Sequence, residues 1–355
     1  MMFKLKKKKP ARISLLDGPL CPNDLLEQGA GFSVANPNDL CIAPDGSLLV
    51  SSGKSILRLT DWEKGVFDLV AEFDHDVSAL ACRQDGVIAV GLKGAGLRMI
   101  TQEGAPSPGW HGLETSAQDV QACSFSHSGA ILIADAGVGD GHTSLMQDLY
   151  SKTGNGRVVQ FTEEGDVSVI ADKLRFPYGV LETREKEVLV CESWSASILK
   201  LAKDKPSKAV LQDAPGYPAR INPLSGGGYV LSLFSRRDPL IEFVLSETEF
   251  RDRMVAEIDP QYWVGPRFAA NTDYKVPIQM GAARLFGDIK PWAPSFSYGL
   301  VIILDNNFTP LSSAQSRANG TRHGITSALE WRGDLIAVSK GSDELLKVTS
   351  MDQLI

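Results

Sequence analysis

The sequence predicts an all-β fold, a six-bladed β-propeller with four-stranded blades, and three observations carry that reading. Six stretches repeat one pattern of apolar strand, polar turn and second apolar strand: 37–52 (PNDLCIAPDGSLLVSS), 77–92 (VSALACRQDGVIAVGL), 120–136 (VQACSFSHSGAILIADA), 177–193 (PYGVLETREKEVLVCES), 218–234 (PARINPLSGGGYVLSLF) and 325–340 (ITSALEWRGDLIAVSK). Most of the turns carry glycine, which supplies the positive φ a tight hairpin needs. The turn glycines Gly46, Gly86 and Gly129 stand 40 and 43 residues apart, about the length of one propeller blade. Helical solenoids would show a 3.6-residue period instead.

Third strands follow most copies, at 55–59 (SILRL), 157–161 (RVVQF), 197–201 (SILKL) and 344–348 (ELLKV), and fourth strands at 67–73, 167–170 and 208–211. The sixth copy has no obvious fourth strand after it. Part of 11–34 is expected to supply it and close the ring, because an open ring leaves exposed strand edges. The spacing breaks once, between Phe234 and Ile325. There 242–258 has helical periodicity, with Phe243, Val244, Phe250, Met254 and Val255 roughly on one face. An irregular stretch with Trp263, Phe268, Tyr274, Trp292 and Phe296 comes next, and strand character resumes at 298–304. We read 242–296 as an insertion in the region of blades five and six, either packed on the blade wall or lying over the central cavity. Residues 11–355 then form a single propeller domain behind a solvated basic tail at 1–10, where Lys4 and four consecutive lysines at 6–9 stand together.

Composition sets limits. With 43% hydrophobic and 22% charged residues the chain can bury a large core, unlike a disordered polypeptide. The net charge of −7 speaks against a nucleic-acid partner, which needs a basic surface. No apolar run approaches the length of a membrane span, and the basic start is not followed by the apolar run of a signal peptide. Five cysteines without a CxxC pair or zinc spacing fit a reducing, cytoplasmic setting. The oligomeric state is open.

Residues 131–161 (ILIADAGVGDGHTSLMQDLYSKTGNGRVVQF), 174–201 (LRFPYGVLETREKEVLVCESWSASILKL), 214–221 (APGYPARI), 297–307 (SYGLVIILDNN) and 324–331 (GITSALEW) resemble the strictosidine synthase-like family. That family lies within the wider SMP-30/gluconolactonase/paraoxonase group of six-bladed propellers, and the resemblance covers roughly 37–348. Calcium-dependent relatives place ligands at the start of each innermost strand: a glutamate in the first blade, asparagines in the third and fourth, an aspartate in the fifth. Counting eight back from each turn glycine or its equivalent gives Asn38, Ser78, Gln121, Tyr178 and Ala219, with Thr326 as the sixth member. None of the expected ligands is present, and the column holds no carboxylate. Asp39 is adjacent, but strand alternation directs it away. Calcium needs six to eight hard oxygens, usually including carboxylates, so no metal and no cofactor is expected. Strictosidine synthase uses a glutamate near the start of its sixth blade. Thr326 stands there, so strictosidine formation is not supported.

Arg220 is a candidate to hold a substrate carboxylate or oxyanion in place of a metal, the alternative being a sideways salt bridge. Second strands return to the same face and end at Ser51, Leu92, Asp135, Glu192, Phe234 and Ser339. Asp135 and Glu192, in neighbouring blades, are candidate general bases or braces for their loops. His142 and His323 are placed to reach the mouth and shuttle a proton, while His127 belongs to a turn on the far face. There is no GxSxG elbow, and Cys41, Cys82 and Cys123 read as small core residues. The resemblance implies hydrolysis of a small lactone or ester in an axial pocket. In that reading Asn38, Gln121, Tyr178 and Thr326 form the polar floor, and Trp194 and Phe234 help to hold an organic substrate. A condensing or lyase-type enzyme of specialised metabolism and a non-catalytic small-molecule-binding propeller stay open as alternatives.

Overall fold

The computed structural model describes residues 14–355 except 111, 114–116, 138–144, 152, 203–204, 270–283, 286–287 and 290–296. The basic stretch 1–10 and His142 lie outside the described residues. The chain forms six antiparallel blades, each built outward from an innermost strand. Those innermost strands are Leu40–Ile42, Val77–Cys82, Val120–Phe125, Pro177–Glu182, Gly216–Pro223 and Ile325–Trp331. Blade two keeps three strands, with an isolated bridge between Ile100 and Pro106 in place of a fourth.

Alternation along each strand sends side chains to both faces of the blade, and both faces are buried between neighbours. In blade one Leu48 and Val50 pack toward Ile336 and Val338 of blade six, while Leu49 packs toward Ile88 and Val90 of blade two. Four further apolar clusters join blades two to three, three to four, four to five and five to six. Stability is therefore spread around the ring rather than held in one core.

The ring closes through Ala30–Ser33, which pairs antiparallel with Glu344–Ser350 as the fourth strand of blade six. A polar clasp reinforces the seam. The Arg322 guanidinium donates to both Glu344 carboxylate oxygens at 3.0 and 3.1 Å and to the carbonyls of Leu26 and Gly29. Glu27 in turn accepts from the backbone N–H of Thr321 and Arg322. Charge-assisted hydrogen bonds of this kind contribute about 1.5–3 kcal/mol each when partly buried. Arg322→Ala is expected to lower stability by about 2 kcal/mol, read as a fall in the denaturant midpoint; an unchanged midpoint would show that the strand pairing alone closes the ring.

The insertion leaves blade five after Tyr229–Arg236 and returns at Gly299–Leu304. Its helical part is two helices, Pro239–Ser246 and Thr248–Glu257, rather than one continuous face. Val244 and Met254 are buried, but Phe243, Phe250 and Val255 are exposed. The break at Glu247 turns the second helix, so the apolar positions no longer share a stripe. The buried side chains join Tyr150, Trp194, Tyr217, Phe234 and Trp263 in an aromatic cluster over blades three to five. No helix among the described residues is long and apolar enough to cross a membrane.

Candidate functional site

At the axis the innermost strands break their regular pairing. The ladder skips Ser78, Gln121, Tyr178 and Thr326, and it skips Ala219 and Arg220 together. A β-bulge leaves one residue's backbone unpaired and kinks the strand, so these positions offer carbonyl oxygens to the channel. Arg220 takes them. Its Nη1 donates to the carbonyls of Asn38 and Thr326, both at 3.0 Å. Its Nη2 donates to the carbonyls of Ser78 and Gln121, both at 2.5 Å. Its Nε stands 3.0 Å from the Asp39 carboxylate, and its face lies 5.3 Å from the Tyr178 ring. One guanidinium thus ties blades one, two, three and six to blade five. It is 5% exposed. Asp39 precedes the regular strand Leu40–Ile42, so strand alternation does not govern it: its carboxylate turns inward and accepts from the N–H of Leu80 at 2.8 Å. Burial raises the Asp39 carboxyl above its usual range against the opposing pull of Arg220. Gly179 fits here because a Cβ would collide with the Ala219 carbonyl.

Around this hub the predicted floor residues are bonded to one another. Asn38 Nδ2 donates to the Ser78 carbonyl at 2.6 Å, Thr326 Oγ1 to the Asn38 carbonyl at 2.7 Å, and the Tyr178 hydroxyl to Asn38 Oδ1 at 3.3 Å. Burial pushes the Tyr178 phenol up to about 12, so it stays a donor. Above them opens a cavity of about 400 Å³. Asn38, Ser78, Gln121 and Tyr178 form its floor, Leu145, Phe176 and Phe268 an apolar wall, and Lys93, Asp119 and Lys340 its charged rim, with the Asp148 carboxylate also lining it. The Ser78 hydroxyl is buried with no hydrogen-bond partner among the described residues. The insertion reaches the cavity through Phe268, whose ring packs at a tilt 5.4 Å from that of Phe234.

The other predicted residues lie elsewhere. Asp135 is fully buried and accepts from the N–H of Asp119 and Gly137, each at 3.0 Å, and from Arg157 Nε at 3.0 Å. Glu192 accepts from the N–H of Arg175 at 2.7 Å and from the Ser195 hydroxyl. Both carboxylates hold loops and neither borders the cavity. His323 is buried, with Ser297 Oγ at 2.8 Å from Nδ1 and the Arg317 carbonyl at 2.9 Å from Nε2. Trp194 and Phe234 stand behind the wall formed by Phe176 and Tyr178, and Trp194 Nε1 donates to Asp148 Oδ2 at 2.5 Å. Arg220 and Thr326 belong to the hub beneath the floor.

Three rim residues were not singled out from the sequence. Lys93 and Lys340 directly follow the strand ends Leu92 and Ser339, at equivalent places in blades two and six. Each closes its strand by the same backbone bond to the preceding loop, to Asp76 at 2.9 Å and to Gly324 at 3.0 Å. Shifting the rim by one position would have exposed both. Burial and the neighbouring charges of Lys93 and Arg220 pull the Lys340 ammonium down to about 8. Asp119, two residues before Gln121, has its carboxyl raised chiefly by burial, against a side-chain hydrogen bond from Gln121 and the pull of Lys93.

Fold and cavity together define a six-bladed propeller with an axial, cation-rimmed pocket. No known family model matches the chain. Over 119 residues it is 34% identical to adipocyte plasma membrane-associated protein of Homo sapiens, a match covering 31% of this chain and 28% of that protein. The protein of that name from Danio rerio is 33% identical over 99 residues, covering 26% of this chain and 24% of the relative. The chain thus spans less than a third of the length of these relatives. Among solved structures, a gluconolactonase from Xanthomonas campestris superposes with a TM-score of 0.55 at 12% identity, over 96% of this chain and 94% of that one. A calcium-binding protein, regucalcin, from Agrobacterium tumefaciens gives 0.53 at 10% identity, over 87% and 85%. At these identities the likeness is one of fold.

Proposed function

We propose that the axial cavity hydrolyses a small lactone or ester without a divalent metal, with Asp119 as general base and the Lys93 and Lys340 ammonium groups as electrostatic stabilisers. The observation that carries this reading is a carboxyl raised by burial facing two lysines across one cavity. Asp119 takes a proton from water as the water oxygen bonds to the substrate carbonyl carbon. The carbonyl π pair moves onto oxygen, where the ammonium groups offset the developing charge. Collapse of the tetrahedral species expels the alkoxide, which recovers the proton from Asp119. Gln121 orients the base, Ser78 offers a hydroxyl to the substrate, and Phe176 and Phe268 cover its apolar part. The solved gluconolactonase propeller supports the choice of reaction by analogy of fold.

The lining does not fit calcium, which takes six to eight oxygens: its two carboxylates, Asp119 and Asp148, are matched by two ammonium groups, and Asp148 already accepts from Trp194 Nε1. The floor carbonyls that would face an axial ion already accept from Arg220, and Lys93 and Lys340 add positive charge to the same space. Among the described residues no three acidic, histidine or cysteine side chains converge to hold a metal. Thermal melts with added calcium and with chelator are expected to coincide, since an ion that binds only the folded state must raise its stability. A clear upward shift with calcium would count against this reading. The direct test is a lactone and ester panel with the Asp119→Asn protein as control. Turnover that the substitution leaves untouched would sink the assignment.

A further inference from the structure

Lys340 differs from the other lysines of the described structure in its surroundings. Its side chain is half-buried, borders the axial cavity, and lies 5.8 Å from the Phe268 ring. Its ammonium has no hydrogen bond or ion pair among the described residues. The charged groups acting on it are Lys93 and Arg220, which disfavour its ammonium form, and Asp76 and Asp343, which favour it more weakly. A lysine desolvated beside a second cation is the arrangement that yields a nucleophilic amine. Lys93 lines the same cavity from blade two, is exposed, and its ammonium likewise has no hydrogen bond or ion pair among the described residues. Within reach lie the partnerless Ser78 hydroxyl and the apolar wall of Phe176 and Phe268.

We propose that the Lys340 amine captures carbonyl compounds that carry a carboxylate, such as 2-oxo acids, as an imine, with Lys93 as the counter-ion of the carboxylate. The neutral amine attacks the carbonyl carbon. A C–N bond forms as the carbonyl π pair moves to oxygen, the nitrogen loses a proton to solvent, and the oxygen gains one. The carbinolamine hydroxyl then takes a proton from solvent and leaves as water as the nitrogen lone pair closes the C=N bond, and the iminium returns its N–H proton to solvent to give the imine. No oxidant or reductant is consumed. This goes beyond hydrolysis and does not require it, since Asp119 takes no part.

The ammonium held at about 8 leaves a far larger neutral fraction at pH 7 than an ordinary lysine, a gain on the order of 100-fold in capture rate. The test uses the full chain with glyoxylate and sodium cyanoborohydride, which delivers hydride to the imine carbon and fixes the adduct for peptide mapping. Labelling is expected to concentrate on Lys340, to rise with pH through about 8, and to vanish in Lys340→Arg, which keeps the charge but cannot form the imine. Lys93→Met removes a repulsive neighbour of Lys340 and is expected to slow capture of every carbonyl compound at pH 7, but to slow glyoxylate roughly tenfold more than a neutral aldehyde such as propanal, through loss of one charge contact. Asp119→Asn should still be labelled, so a failed hydrolysis assay and a failed capture are told apart. Label spread over the surface lysines in proportion to exposure, or unchanged total label in Lys340→Arg, would overturn the proposal.

Discussion

Replacing Arg220 with methionine is expected to destabilise the fold by about 3–5 kcal/mol, the range for leaving one partner of a buried ion pair uncompensated. Methionine keeps an unbranched apolar stem but ends short of the guanidinium and offers no donor. The carbonyls of Asn38, Ser78, Gln121 and Thr326 would lose the groups that now satisfy them, and water has poor access to a hub that is 5% exposed. The Asp39 carboxylate would lose its counter-ion and be driven toward its protonated form. That last effect supplies the control. Adding Asp39→Asn to Arg220→Met removes the stranded charge and should recover part of the loss, an interaction seen as non-additivity in a double-mutant cycle. Chemical denaturation of the four proteins decides the matter. A loss below about 1 kcal/mol for the single variant, within the range of ordinary surface substitutions, would mean that the guanidinium does not hold the ring.

The repeat made much of this architecture readable, and the hub shows where reading stopped. Hairpins with glycine turns and a blade-length period are local signals, so the six innermost strand pairs and the closing strand near Ala30 followed from the chain alone. Side-chain direction at the axis did not, because it depends on strand starts and bulges that periodicity does not encode. A strict two-residue alternation sends Asp39 away from the column. Asp39 precedes its regular strand and turns onto the axis, and a bulge in blade five lets Arg220 follow Ala219 inward. The one-residue offset at the rim has the same root. Asp135 and Glu192 end their strands but spend their oxygens on loop N–H groups. The next position carries Lys93 and Lys340 into the cavity in blades two and six. A lysine after an apolar strand looks like a solvated end, and only the ring brings two of them to one opening.

Hydrolysis in this cavity should follow a bell-shaped dependence on pH, and Asp119→Asn should lower kcat by about 10²–10⁴, the usual contribution of a positioned general base. The signs follow from the two rim groups. Asp119 must be ionised to accept a proton from water. Its carboxyl is raised by burial, so activity climbs with pH through a limb lying above the ordinary carboxylate range. Lys340 must be protonated to offset the oxyanion. Its ammonium is held at about 8, so activity falls as pH rises past that point. The groups acting on this limb are Lys93, Arg220, Asp76 and Asp343. Lys93→Met removes a repulsive neighbour and should move the alkaline limb upward, while Lys340→Arg should abolish it. Both variants keep the hub intact, so a change in limb position without a change in melting temperature would separate electrostatics from folding. An alkaline limb that persists at the same pH in Lys340→Arg would assign the falling activity to another group and remove Lys340 from the hydrolytic step.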